Sequence, residues 1–185
     1  MMFTAFLIGI GLSMDAFSVS ITNGMNMKRV EIKEAFKIAL FYGVFQFIMP
    51  VIGFFAAGIF KSYIEAVDHW VAFLLLAFIG IKMIIEAFDK KEEEQKEKNL
   101  SIKVLTLQAI ATSIDALAVG ISFAALNTPI WSSSFIIGMT TFVLCFGAVY
   151  IGKTVGKFLA EKAEIFGGII LLGIGIKILA EHLFF

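Results

Sequence analysis

The chain has 185 residues, of which 59% are hydrophobic and only 16% charged, and its mean hydropathy is +0.94. So little charge cannot clothe a soluble domain, and the composition places the chain in lipid. Fifteen basic residues balance fifteen acidic ones, which gives no reason to expect a nucleic-acid partner, and the single Cys145 excludes an intrachain disulfide.

A helix needs about 20 apolar residues to cross the hydrocarbon region. Stretches of that length lie at about 2–22, 35–59, 68–88, 103–125, 133–153 and 164–185. They predict an all-α integral membrane protein with six transmembrane helices, because backbone groups in lipid must be satisfied within each segment. The first stretch has no basic residues before it and holds Asp15 in its core, so it reads as a retained span and not a signal peptide. The second contains Gln46 and Pro50; a proline inside a helix frees the carbonyl of residue 46 and predicts a bend beside a polar side chain. The third ends near Lys82 and Glu86, and the sixth near Lys177 and Glu181. These i,i+4 pairs either snorkel to the interface or close a cavity alternately on its two sides. Residues 89–101 are a mixed-charge linker separating 1–88 from 102–185. The fourth stretch carries Asp115. His69 and His182, at helix ends, read as solvated interface residues. Gly9, Gly11, Gly43, Gly53, Gly80, Gly138, Gly147, Gly152, Gly167, Gly168, Gly173 and Gly175 are expected to let helices approach closely.

The two halves repeat. Ser13–Ile21 overlays Ser113–Ile121 with identical Ser, Asp, Ala, Val and Ile, and Ile79–Glu86 overlays Ile174–Glu181 with the lysine and the glutamate both kept. Apolar helices alike by chance rarely duplicate their charges. The second and fifth spans match only weakly. Three crossings per unit bring the second copy in from the opposite face, so the expected architecture is two inverted three-helix repeats. Lys28, Arg29, Lys33, Lys37, Lys90, Lys91, Lys96, Lys98, Lys103, Lys153, Lys157 and Lys162 flank the loops after spans one, three and five, whereas Lys61 alone occupies an opposite loop. The positive-inside rule then puts those three loops in the cytoplasm and both termini outside.

Asp15 and Asp115 each lie about 13 residues into their spans, roughly 20 Å along the axis and near the midplane. An aspartate at that depth costs about 2.5–3.5 kcal/mol on insertion scales. Two such costs, symmetrically placed, point to a shared site at the repeat interface, although protonated aspartates hydrogen-bonding neighbouring helices are the plainer alternative. Paired carboxylates supply hard oxygen donors for a divalent cation such as Mn²⁺, Mg²⁺ or Ca²⁺. Ser18, Thr22, Gln46, Gln108, Thr112 and Ser122 are candidate further donors, unless they simply bond their own helices.

Gly11–Ala16, Ala111–Gly120, His69-Trp70, Met83–Glu86 and Lys162–Ile165 together resemble the MntP-type manganese efflux pumps of bacteria, over nearly the whole chain and in the same order. The resemblance implies Mn²⁺ as exported substrate, no cofactor, a place in the bacterial cytoplasmic (inner) membrane, and a match of Asp15 and Asp115 to the aspartates of the family's two halves. The expected mechanism is alternating access with proton antiport, since two empty, closely placed carboxylates repel and favour proton uptake as metal leaves. The residues by themselves support a hard divalent cation without choosing manganese. An exporter of another metal or of amino acids stays open, as does an intramembrane aspartyl protease whose two aspartates share a proton.

Overall fold

The computed structural model describes residues 2–27, 29–58, 68–88, 101–155 and 157–184. Among them the chain is all-helical: α1 (Met2–Asn26), α2 (Ile32–Gly58), α3 (Asp68–Phe88), α4 (Ile102–Ala111), α5 (Ile114–Ala125), α6 (Ile130–Val155) and α7 (Lys157–Phe184). Most of the expected linker, residues 89–100, lies outside the described residues, as do Lys28 and Lys61.

Local chemistry sets the helix ends. Ser101 caps α4, its Oγ accepting from the Val104 N–H at 3.3 Å. At the end of α5 the Thr128 N–H reaches back to Phe123 O at 2.9 Å and the Asn127 N–H to Ala124 O at 3.3 Å. This closure needs a left-handed residue, supplied by Asn127 at φ 50°, and Pro129 follows before α6 begins. Helix α7 starts several residues before the apolar stretch because the Glu and Lys residues of 161–164 are strong helix formers and continue it.

The expected fourth span, 103–125, is not one helix. It divides into α4 and α5, which meet at 43°. At the break the Ser113 N–H turns to Ile110 O at 3.1 Å and the Ser113 hydroxyl takes Ala109 O at 2.6 Å, while Thr112 Oγ1 donates to Gln108 O at 3.0 Å. Helix α2, in contrast, continues through Pro50.

Polar side chains sit inside the bundle, among its apolar core, and large apolar ones lie on its outside. Ser13, Gln46, Ser113, Ser134 and Thr141 are buried, while Phe3, Leu74, Phe78, Phe135 and Ile169 are exposed, the distribution of a chain whose solvent is lipid. Among the described residues three helices are long and apolar enough to cross a membrane, and the bent pair α4–α5 makes a fourth candidate. Helix α1 packs on α6 and α7, α5 packs on α2 and α3, and the pairs α2/α6 and α3/α7 also touch broadly, whereas α1 against α2 and α5 against α6 make slight contact.

Glycines create the closest of these crossings. A Cβ on Gly24 would collide with Val149 O and one on Gly152 with Ile21 O, joining α1 to α6; likewise Gly53 abuts Leu117 O and Gly120 abuts Pro50 O, joining α2 to α5. Gly43 and Gly138 face each other, each near the other's carbonyl. Gly147 and Gly173 have nothing within 4 Å, so they do not serve the expected packing role.

Candidate functional site

The polar layer forms where two apolar clusters meet, one reaching Met14 and Ala116 and the other Ala16 and Ala109. Asp15 projects from the middle of α1, and Asp115 from the first turn of α5, just past the break. Both are half-buried. Asp115 lies within electrostatic reach of Asp15 and of Lys82 on α3, so the two aspartates and a lysine from three helices share one region. The α5 N-terminus presents a positive dipole end to the Asp115 carboxylate. Asp115 Oδ1 accepts from the Ala116 N–H at 2.8 Å, while Oδ2 is buried and without a hydrogen bond.

Gln46 ties this layer together. Its Nε2 donates to Thr112 O at 3.0 Å, at the break, and to Leu12 O at 3.3 Å on α1. Thr112 and Leu12 each stand three residues before an aspartate, so a single amide holds the corresponding points of two helices. Gln46 is fully buried and its Oε1 has no hydrogen-bond partner. Two buried oxygens without donors, one carboxylate and one amide, suit a cation better than they suit lipid. Among the described residues no group of three or more His, Cys, Asp or Glu side chains assembles, so a hard cation here would complete its shell from neutral oxygens. Gln46→Leu is expected to cost about 1–2 kcal/mol, because it removes two interhelical donors and leaves the Thr112 carbonyl exposed at a helix break. Thermal unfolding in detergent measures this.

The hydroxyl candidates differ in position. Ser18 Oγ donates to Met14 O at 2.9 Å and Thr112 Oγ1 to Gln108 O at 3.0 Å, so each hydroxyl spends its proton on its own helix. Thr22 Oγ1 donates to Ser18 O at 3.2 Å. Ser122 donates to Ala118 O at 3.3 Å and lies two turns beyond Asp115, in a separate cavity of about 310 Å³ that Lys177 also lines. That cavity extends to Val119, one turn from Asp115. Gln108 joins a different cluster, with Asn23 and Tyr42. The side chains of Glu86, Glu181, His69 and His182 lie outside the described residues, so the expected pairs Lys82–Glu86 and Lys177–Glu181 are seen only through their lysines.

Comparison with known proteins adds an independent finding. A family profile described as "Putative manganese efflux pump" matches residues 29–179. A protein of Clostridium perfringens (strain SM101 / Type A) is 50% identical, with 95% of this chain and 92% of the relative covered. One from Clostridium botulinum (strain Loch Maree / Type A3) is 52% identical over the same shares, and one from Ruminiclostridium cellulolyticum is 49% identical over 97% and 95%. Each bears the name "Putative manganese efflux pump MntP". No solved structure matches.

Proposed function

Because the chain belongs to the Mntp family of manganese efflux pumps, we propose that it exports Mn²⁺ from the cytoplasm as a secondary transporter, with the ion held between Asp15 and Asp115. The observation that carries this reading is Gln46, which ties Leu12 and Thr112, each three residues before an aspartate, and holds a buried amide oxygen without a donor. Ser18 and Thr112 add neutral oxygens, and Lys82 offers a countercharge when the site is empty.

Six spans in two inverted repeats, 1–88 and 102–185, are the architecture we assign. Its support is reciprocal packing. Exchanging α1 with α4–α5, α2 with α6 and α3 with α7 turns the contact of α1 with α6 into that of α5 with α2, and the contact of α1 with α7 into that of α5 with α3. Gly43 faces Gly138, with Phe47 and Phe142 on their flanks, which aligns the second and fifth spans that sequence identity alone left loose. Loop charge puts both termini outside a bacterial cytoplasmic membrane.

Export against an inside-negative potential costs about 4–5 kcal/mol per divalent ion at 100 mV, so the exporter is coupled, and protons taken up by the emptied aspartates are the counter-ion. The test is flux in proteoliposomes. An imposed proton gradient should drive Mn²⁺ against its own gradient, and a proton ionophore should stop it; equal transport with and without the gradient would defeat proton exchange. Competition by Mg²⁺, Ca²⁺, Cd²⁺ and amino acids defines the cargo.

A further inference from the structure

A second buried polar cluster lies beside the aspartate layer, toward the α1–α2 turn. Asn23 Nδ2 donates to Tyr42 OH at 3.2 Å and to Gln108 Oε1 at 3.2 Å, and Tyr42 OH donates to Gln108 Oε1 at 3.1 Å. Gln108 Nε2 returns a long bond of 3.5 Å to Asn23 Oδ1. Three helices, α1, α2 and α4, are thereby tied at one level. Tyr42 is wholly buried and Asn23 nearly so. Along α1, Asn23 is two turns from Asp15; along α4, Gln108 is one turn from the break; along α2, Tyr42 is one turn from Gln46. The triad therefore stands between the aspartates and the face where α1 ends and α4 begins.

The opposite end differs. There the cavity of about 310 Å³ opens between the start of α1 and the end of α5, with Ile8 and Phe123 in its wall and Val119 nearest the aspartates. Matching the halves as Asp15 with Asp115 and Gly43 with Gly138 pairs Asn23 with Phe123, Gln108 with Ile8 and Tyr42 with Ile137. All three counterparts are apolar and buried. A layer tied by hydrogen bonds at one end thus corresponds to an apolar layer at the other, with a cavity beside the apolar one.

We propose that Asn23, Tyr42 and Gln108 form the gate that closes the aspartate site toward the α1–α2 loop face, and that the structure is the state closed on that face. The proposal rests on the transporter reading above. On opening, the triad exchanges its mutual hydrogen bonds for bonds to water, so the gate opens into a wet vestibule at modest cost, and its amide and phenol oxygens meet the arriving hard cation. The apolar counterpart Ile8–Phe123–Ile137 closes by excluding water, the usual action of a hydrophobic constriction on ions. The two gates of one symmetric scaffold thus work by different physics.

Pulsed electron paramagnetic resonance on the full chain tests this. In a Cys145→Ala background, labels at Asn26 and Lys103 report the gate face and labels at Phe3 and Pro129 the opposite face. Tyr42→Phe should shift the ratio of short to long Asn26–Lys103 distances roughly fivefold toward the long, as loss of one buried hydrogen bond gives, and should shorten the Phe3–Pro129 distance in the same molecules. Asn23→Ala with Gln108→Ala should shift both further; if that double variant does not fold, Tyr42→Phe alone carries the test. Unchanged distances overturn the gate. So does a lengthened gate-face distance with no change opposite, which marks a merely structural tie. Reciprocal switching in a protein that carries no Mn²⁺ in proteoliposomes keeps the gate and refutes the cargo; Mn²⁺ flux without switching refutes the gate alone.

Discussion

Asp15→Asn and Asp115→Asn are each expected to lower Mn²⁺ flux by about a hundredfold or more, with no loss of thermal stability. The flux argument is electrostatic. Unit charges 4 Å apart at an effective dielectric near 20 interact by about 4 kcal/mol, on the order of a thousandfold in affinity, and a divalent ion feels each carboxylate at least that strongly. The stability argument is local. An asparagine at position 115 keeps an oxygen to accept the Ala116 N–H that Asp115 Oδ1 now accepts, and it removes one of two like charges placed within reach of each other. A half-buried charge in lipid costs about 2.5–3.5 kcal/mol on insertion scales, so its removal is neutral or stabilising. Flux in proteoliposomes alongside melting in detergent separates the two effects, and loss of both together would mark the aspartates as structural.

The second large effect is expected at the helix crossings. Gly120→Ala and Gly53→Ala should each destabilise by about 2–3 kcal/mol, as should Gly24→Ala and Gly152→Ala, because overpacking a close contact has that cost and the atoms met are backbone carbonyls of Pro50, Leu117, Val149 and Ile21. A side chain can change rotamer to admit a methyl; a helix carbonyl cannot, so the helices must separate. At Gly120 the separation would pull α5 from α2 close to the segment carrying Gln46, and flux should fall with stability. Gly147→Ala and Gly173→Ala meet open space, and the better helix propensity of alanine makes them neutral or slightly stabilising. Melting temperatures of the six variants in detergent check the contrast.

These glycines show how far residue type can be read without geometry. Gly147 and Gly173 are chemically identical to Gly53, yet only the direction in which a helix turns them decides whether a partner is met, and Gly24 and Gly120 stand out only once the carbonyls of Val149 and Pro50 are in place. The aspartates were legible because a charge in an apolar run is costly and a duplicated one more so. The break between α4 and α5 was not, since hydrophobic periodicity runs through Thr112 and Ser113, and paired hydroxyls that donate to their own helix are no signal of a break: Thr140 and Thr141 do the same inside the unbroken α6. Ser122 stands seven residues after Asp115, as Thr22 does after Asp15, and two turns along α5 bring it to the cavity with Lys177. Asn23 and Tyr42 drew no attention because an amide at a helix end and a lone tyrosine are ordinary features; only their convergence with Gln108 gives them meaning. Lys82 read as one member of an i,i+4 pair, and the tertiary fold brings its charge to bear on Asp115.

The central claim is that Asp15 and Asp115 together hold one Mn²⁺. Free aqueous Mn²⁺ gives a six-line electron paramagnetic resonance signal that weakens on binding, so titration of the purified chain counts bound ions directly, without any assumption about transport. The account predicts one Mn²⁺ per chain in the wild type and none at the same concentrations in Asp15→Asn, Asp115→Asn or the double variant. Wild-type stoichiometry and affinity in the double variant would contradict it.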